Sequence, residues 1–231
     1  MAMAETKTEK IADVSPAVGN YLKAVYRLEQ SGLPAETKRL SDELGGIKPS
    51  SVSAMIKRLS EIGFLDYTPY QGVSLTQAGR RISLLVLRKH RLLELFLVKE
   101  LGFAWEEVHE EAECLEHHVS VRFIERIAAK LGYPEFDPHG DPIPGADGCL
   151  PARETIALSD CAPGRRMLVF RVLDQSPEKL TFFREHGLVP GAAATVSARD
   201  TSSGTILVKA GDRDLSMDVR SAARILMIRS D

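Results

Sequence analysis

The sequence predicts an α+β fold in which two largely helical segments precede an all-β segment. Three observations lead to this prediction. Apolar residues recur at helical spacing from residue 15 to about residue 131, with one short interruption in which apolar and polar residues alternate. Residues 132–151 hold five prolines and four glycines, which indicates a linker and a domain boundary. From residue 152 onward, short apolar runs separated by turn residues replace the helical pattern.

The composition narrows the class of protein. The 231 residues are 44% hydrophobic, as in a soluble globular protein of one large or two to three small domains. With 30 basic and 32 acidic side chains, only a local basic face could bind nucleic acid. Three widely spaced cysteines without a CxxC pair argue against both a disulfide scaffold and a zinc ribbon. The sequence has neither a membrane-spanning apolar run nor a signal peptide, so we expect a cytoplasmic protein with no membrane partner.

The first structured segment, residues 15–76, follows a flexible arm over residues 1–14. A helix opens at Ser15 and ends near Gly32, and a shorter helix stops at residues 45–46. A third helix runs from Lys48 to about Ile62, and the alternating stretch FLDYTPYQGVSLT then predicts a β-hairpin. Three helices and a hairpin in this order are the outline of a winged helix-turn-helix, whose third helix enters the DNA major groove.

Charge is distributed in agreement with this outline. Residues 36–91 carry ten basic against five acidic side chains, whereas residues 92–140 carry four against eleven. The basic excess is either an ordinary solvated face or a surface for double-stranded DNA. Hydroxyls and cations near the third helix favour DNA, because they suit phosphate oxygens and base edges. The predicted contact residues, including two at the wing tip, are Lys48, Pro49, Ser50, Ser51, Ser53, Lys57, Arg58, Tyr70 and Gln71.

The acidic middle segment, residues 77–148, predicts a helix over residues 77–101 and another from Trp105 to about Leu131. The second helix has His and Glu at spacings i, i+4, i+7 and i+8, and the first has a further pair at i and i+4, so each set shares a helix face. Two antiparallel helices could bring the six side chains together. They are His90, Glu94, His109, Glu113, Glu116 and His117.

Six such side chains at one helix interface point to a metal ion, because buried carboxylates are costly unless a cation neutralises them. Oxygen and nitrogen donors without a thiolate favour Mn(II) or Fe(II), although zinc also binds such ligands. The alternative is a solvated, Glu-rich helix with ordinary surface histidines. The apolar residues of helices 77–131 exceed what one small domain covers, which predicts a dimer surface.

The C-terminal segment, residues 149–231, contains five or six short strands and one short helix near residues 178–186. This pattern predicts a small SH3-like β-barrel. The segment carries no motif that points to a particular chemistry.

Taken together, a winged helix followed by RKHRLLE, VHEEAECLEHH and DPHGDPIPG resembles the diphtheria-toxin-repressor family of iron- and manganese-dependent regulators. The resemblance covers nearly the whole chain from Ser15. It implies a homodimer that binds operator DNA when loaded with metal, controls metal-homeostasis genes and carries an SH3-like (FeoA-like) C-terminal domain. It also implies two metal sites, an ancillary one with His90, Glu94 and His109, and a primary one with Glu113, Glu116, His117 and a ligand from the first helix.

Departures from the family pattern bear on the metal. Iron-selective members have a cysteine at the position of Glu113. This chain shares the glutamate of the manganese-responsive members. Asn20 stands where the family has Met or Asp, and its amide oxygen ligates without the charge of a carboxylate. Lys23 aligns with the second acidic ligand of the manganese-responsive members and cannot ligate, which bears on whether the site holds two bridged ions. We therefore expect one or two ions per subunit. Mn(II) is the preferred ion, and Fe(II) is the alternative. Asp174 and Glu178 are the candidates for a ligand from the C-terminal domain.

We therefore expect a metal-dependent transcriptional regulator and not an enzyme. A metal-dependent hydrolase would need an open coordination position and a cleft, and the sequence shows no separate base, nucleophile or phosphate loop. The other alternative is a winged-helix regulator that responds to a non-metal ligand or partner through its C-terminal domain. A metal titration separates this alternative from the metal sensor.

Overall fold

The computed structural model describes residues 14–68, 72–200 and 202–230. These residues form two compact units. The first unit holds the described residues up to His90, together with Leu115–Glu125 and Pro144–Cys149. The second unit holds Arg91–Cys114, Arg126–Ile143 and the described residues from Leu150 onward. Across the described ranges, no helix is both long and apolar enough to span a membrane.

The N-terminal part of the first unit has the predicted three helices and hairpin. Helices α1 (Pro16–Gln30), α2 (Thr37–Glu43) and α3 (Pro49–Glu61) precede strands β1 (Leu65–Thr68) and β2 (Gly72–Leu75). The strands pair antiparallel over their full length. Proline occupies the first turn of both α1 and α3, where its missing N–H costs no helical hydrogen bond. The winged-helix prediction is confirmed.

Helix α1 lies at the centre of this unit's core. Its Leu22 and Val25 are fully buried, as are Val52 and Leu59 of α3, and all four belong to one apolar cluster. The carboxylate of Glu29, at the end of α1, accepts a hydrogen bond from the backbone N–H of Leu75 at 2.8 Å. Apolar contacts link α1 to the helix α3, and this hydrogen bond links α1 to the wing, so a change in α1 affects both.

The middle of the chain differs from the prediction at one point. Helix α4 (Gln77–Leu101) is as expected, but the single helix predicted from Trp105 to about Leu131 is wrong, because α5 (Val108–Leu115) and α6 (Val121–Lys130) are separate. The Ser120 hydroxyl accepts the backbone N–H of Phe123 at 3.1 Å, which is the hydrogen bond of a helix N-cap. Glu116 and His117 therefore lie in the turn that follows α5.

The C-terminal part of the second unit is the predicted all-β segment. Its sheet is antiparallel in the order β3-β8-β4-β5-β6-β7. Bulges in β4 and β5 bend the sheet around a core that includes Phe183, Val208 and Met227. The elements are β3 (Ile156–Ala157), a 3-10 turn (Leu158–Asp160), β4 (Arg166–Val172), α7 (Pro177–Glu185), β5 (Ala193–Asp200), β6 (Thr205–Ala210), β7 (Arg213–Asp218), α8 (Val219–Ala222) and β8 (Ile225–Arg229).

The core assignment of α3 predicts unequal effects for two neighbouring substitutions. Leu59 is fully buried, whereas Ile62 is 51% exposed. We expect Leu59→Ala to lower the free energy of unfolding by about 2–5 kcal/mol, through lost burial and the cavity left behind. Ile62→Ala should change it by less than about 0.5 kcal/mol. Urea denaturation of chelator-treated protein measures both, and equal losses would contradict the assignment.

Candidate metal centre

Three donor atoms converge in the first unit. The Nε2 atom of His117 lies 2.8 Å from Asn20 Oδ1 and 3.2 Å from Glu116 Oε1. A metal ion with bonds of about 2.1 Å places adjacent octahedral donors about 3 Å apart. These two distances from His117 Nε2 therefore fit a small divalent cation with oxygen and nitrogen ligands.

Local sequence explains the close approach of α1 to the His117 ring. Gly19 precedes Asn20, and a Cβ atom on Gly19 would lie 3.6 Å from His117 Cε1 and 3.3 Å from the Val86 side chain. A Cβ atom at position 19 would already contact the imidazole and would require the Val86 side chain to shift by a few tenths of an ångström. The end of α5 at Leu115 supplies the other half of the arrangement, because it releases Glu116 and His117 into a turn.

Glu116 is the buried carboxylate of this first-unit cluster, with only 1% of its surface exposed. Its Oε1 atom accepts a hydrogen bond from Lys23 Nζ at 2.8 Å, and its Oε2 atom lies 2.7 Å from His90 Nδ1. When His90 donates through Nδ1, its Nε2 atom keeps the lone pair that a metal requires. Carboxylate–histidine contacts of this kind orient metal-binding imidazoles in many proteins.

A second set of candidate ligands lies in the second unit. Glu94, Asp137 and His139 are all buried, and their ligand atoms lie within 4.8 Å of one another. Glu94 also contacts His109, whose Nδ1 atom is 3.3 Å from Glu94 Oε1. On the other side of the His109 ring, Nε2 lies 3.9 Å from Glu113 Oε1. We call Glu94, His109, Glu113, Asp137 and His139 the second-unit cluster.

The orientation of His139 favours a cation. Its Nε2–H donates to the backbone carbonyl of Trp105 at 2.9 Å, and its ring stacks on the Trp105 indole. The Nδ1 atom therefore carries the lone pair in the neutral ring. It is buried without a hydrogen-bond partner among the described residues, and it faces Glu94 Oε2 at 3.9 Å and Asp137 Oδ1 at 4.0 Å. Three electron-rich atoms in a buried space fit a metal ion.

Asp137 is held in the loop by the backbone. Its Oδ1 atom accepts the N–H groups of His139 at 2.8 Å and Asp141 at 2.9 Å. Burial raises the pKa of the Asp137 carboxyl well above its usual range, and the nearby charges of Asp141 and Glu94 raise it further. The Arg91 guanidinium, 3.7 Å from Oδ2, opposes this shift. A divalent cation would reverse it by favouring the ionised form.

Asp137 and His139 were missed by sequence reasoning. The only signal was the segment DPHG, because a loop has no periodicity that assigns a side chain to a face. The predicted ligands divide between the units, with Asn20, His90, Glu116 and His117 in the first, and Glu94, His109 and Glu113 in the second. Their roles as metal ligands stay predictions.

The two candidates from the C-terminal segment lie near the start of α7. Asp174 Oδ1 accepts hydrogen bonds from the backbone N–H and the hydroxyl of Ser176. Glu178 is exposed in the first turn of the helix. A residue that the prediction left out, Gln175, donates to Asp141 Oδ2 at 3.2 Å, next to the Asp137 loop.

The predicted DNA-contact residues of α3 form an exposed surface. Val52, Ile56 and Leu59 face the core, as predicted, and Met55 packs against it. Tyr70 and Gln71 lie outside the described residues. The exposed residues, on α3 or immediately before it, are Lys48, Pro49, Ser50, Ser51, Ser53, Lys57 and Arg58.

Comparisons with known proteins agree with this architecture. Residues 13–73 match the family described as iron dependent repressor, N-terminal DNA binding domain, and residues 76–145 match its metal binding and dimerisation domain. Residues 156–229 match the FeoA domain. The iron-dependent repressor IdeR of Mycobacterium tuberculosis is 32% identical over 200 residues, which is 81% of this chain and 86% of that protein. The chain belongs to the diphtheria-toxin-repressor family of metal-dependent transcriptional regulators.

Other members of the family are also similar to this regulator. The HTH-type transcriptional regulator MntR of Oceanobacillus iheyensis is 33% identical over 119 residues, 52% of this chain and 80% of that one. A solved structure described as a manganese-dependent transcriptional repressor in complex with manganese has a TM-score of 0.82 and 39% identity. The matched region spans 92% of this regulator and the whole of that chain. The predicted family and the α+β fold with its SH3-like C-terminal domain are confirmed.

The surroundings of Asp137 predict a stability effect for this regulator. We expect Asp137→Asn to raise the free energy of unfolding of chelator-treated protein at neutral pH by about 1–3 kcal/mol, because it removes one of several buried like charges. A carboxyl with a raised native pKa destabilises the fold as pH rises, so the gain should shrink at acidic pH, where wild-type Asp137 is protonated.

Urea denaturation at several pH values measures this effect. Asp212→Asn is the matched control, since Asp212 is exposed in the turn between β6 and β7. A loss of stability in Asp137→Asn at neutral pH would contradict the electrostatic description of the loop.

Proposed function

We propose that this chain is a Mn(II)-responsive repressor that binds operator DNA as a homodimer in the cytoplasm. The observation that carries the proposal is the convergence of Asn20 Oδ1, Glu116 Oε1 and His117 Nε2 in the unit that also holds the winged helix. Oxygen and nitrogen donors suit Mn(II) and Fe(II), although zinc also binds them. Similarity to a manganese-dependent repressor supports the same choice.

Two clusters support one or two ions per subunit. The first-unit cluster would hold an ion through Asn20, Glu116 and His117. In the second-unit cluster, the unpartnered Nδ1 atom of His139 and the carboxylates of Glu94 and Asp137 have the donor set for another. The ion would supply positive charge to buried carboxylates, and the chain's own residues would transmit its presence to the DNA-binding surface.

Helix α1 is the element that connects metal to DNA. Asn20 lies on this helix, two residues before Leu22, which packs in the same core as Val52 of α3. An ion bound to Asn20 and to the turn at residues 116–117 would restrain α1 and, through the shared core, the exposed face of α3. Because coupling between two binding equilibria is reciprocal, DNA should tighten metal binding by the factor by which metal tightens DNA binding.

Exposed apolar side chains support the homodimer. Leu101 and Phe103 of the second unit are exposed, as are Val121 and Phe123 of the first. All four lie within residues 76–145, which match the metal binding and dimerisation domain of the family. Contiguous apolar patches on a protein surface mark interaction sites, and we assign these four side chains to the dimer interface.

A pair of adjacent histidines tests the first-unit cluster. His117 contacts Asn20 and Glu116, whereas His118 is exposed. We expect His117→Ala to weaken Mn(II) binding at least about tenfold, since it removes an imidazole ligand, and to remove Mn(II)-dependent DNA binding. His118→Ala should leave both unchanged.

Isothermal titration measures the metal affinity, and fluorescence anisotropy measures DNA binding with a duplex selected from a random pool in the presence of Mn(II). Equal behaviour of the two variants would contradict the proposed ligand. Absence of a saturable Mn(II) or Fe(II) site in the wild type would instead favour a regulator with a non-metal signal.

The neutral ligand Asn20 allows a test in the opposite direction. Asn20→Asp adds a negative charge 2.8 Å from His117 Nε2 without changing the side-chain length. We expect it to tighten Mn(II) binding by about tenfold or more, because charged ligands bind hard cations more strongly. Asn20→Ala should weaken binding. Competition with a fluorescent chelator measures both affinities, and a weaker Asn20→Asp variant would show that position 20 is not a ligand.

A further inference from the structure

Lys23 is an unusual residue for the interior of a domain. It lies on α1, three positions after Asn20, so both residues share one face of the helix. Only 3% of its surface is exposed, and lysine is almost never buried to this degree unless it is paired. Its contact with Glu116 joins two residues 93 positions apart, at 2.8 Å, and leaves both side chains almost fully excluded from solvent.

The ammonium group contacts the same oxygen that the proposed metal ion requires. Glu116 Oε1 lies 2.8 Å from Lys23 Nζ and 3.2 Å from His117 Nε2, while Oε2 lies 2.7 Å from His90 Nδ1. Both oxygens of the carboxylate are thus engaged. An incoming ion must either share Glu116 Oε1 with the Lys23 ammonium or displace the ammonium. Sharing is unfavourable, because two cations at one buried oxygen repel each other.

We propose that Lys23 is a tethered cation that competes with the metal ion for Glu116 and so sets the metal concentration at which the regulator responds. This inference rests on the proposed function, in which Glu116 is a ligand. In the absence of metal, the ammonium supplies the positive charge that a buried carboxylate needs. When metal binds, the divalent ion supplies that charge, and the flexible four-carbon stem allows Lys23 to withdraw from Oε1.

The competition has two consequences for the metal centre. The affinity of the first-unit cluster for metal is lowered by the free energy of the Lys23–Glu116 contact, which must be lost or weakened. The ammonium also fills space beside Glu116 with positive charge, so this cluster takes a single ion. In this view Lys23 is a positioning residue, because it acts on the metal only through Glu116.

The experiment compares Mn(II) binding and thermal unfolding in full-length variants. Lys23→Met removes the charge, Lys23→Gln keeps a hydrogen-bond donor without charge, and Lys23→Arg keeps the charge. Lys209→Met is the control, because Lys209 is exposed on β6 of the second unit. Each protein is stripped with a chelator and then titrated with Mn(II) by calorimetry, and Tm is measured with and without saturating Mn(II).

We expect Lys23→Met to bind Mn(II) about tenfold tighter than the wild type, the size of one hydrogen bond to a charged group. Lys23→Gln should also bind Mn(II) tighter than the wild type, by a smaller factor, because it loses the charge and keeps a hydrogen-bond donor. Their Tm without metal should fall, and saturating Mn(II) should restore most of the loss. Lys23→Arg should return both affinity and Tm toward wild-type values, and Lys209→Met should match the wild type.

The possible failures are distinguishable. Unchanged or weaker Mn(II) binding in both uncharged variants, with normal binding by the wild type, would overturn the inference alone, since a purely structural lysine predicts that result. If Lys23→Met does not fold, Lys23→Gln decides the question by the same criterion. Absence of Mn(II) binding by the wild type would overturn the proposed function and the inference together.

Discussion

A carboxylate that is withdrawn from water needs positive charge close by, and Glu116 imposes this requirement on the first unit. Lys23 and His90 approach its two oxygens, and His117 lies beside one of them. Isolated burial of such a charge costs several kcal/mol, so these partners hold α1, α4 and the turn after α5 in a definite relation. The same arrangement places Asn20 next to His117. The contacts that neutralise Glu116 thus also create a group of donor atoms that fits a cation.

The second unit handles buried negative charge differently. Glu94 and Asp137 face the lone pair of His139, while side-chain nitrogens of Arg91 and His109 lie near the two carboxylates. Such a cluster is costly to the fold, as the raised pKa of Asp137 shows. Functional sites commonly keep local arrangements that the fold alone would not favour. The excess of electron-rich atoms is what a bound cation would offset.

Much of the fold was predictable because it depends on local patterns. The stripe of Val52, Ile56 and Leu59 identified the buried face of α3, and alternating residues identified the wing. The error at residues 116–120 arose because helical spacing continues through the turn, although Ser120 is a residue type typical of a helix start. The prediction grouped His109 and His117 on one face of a continuous helix. That reason was wrong, because the helix ends at Leu115.

The site depends on contacts that no local pattern contains. His139 is placed by a loop in which Gly140 has a φ of +86°, and a Cβ atom there would lie 2.1 Å from the Phe170 carbonyl oxygen. Only the folded chain shows that close approach. The alignment of Lys23 with a missing ligand was visible in the sequence, but its contact with Glu116 spans 93 positions and required the structure.

The hydrogen bond from His139 to the Trp105 carbonyl has a consequence for protons. A carbonyl only accepts, so it holds the His139 ring in the tautomer with a bare Nδ1, the form in which an imidazole ligates. An ion arriving there displaces no hydrogen from His139. His117, in contrast, donates its Nε2 hydrogen to Asn20, so ligation through that nitrogen must first relocate a proton. The two clusters would thus differ in whether an imidazole must change tautomer before it can bind an ion.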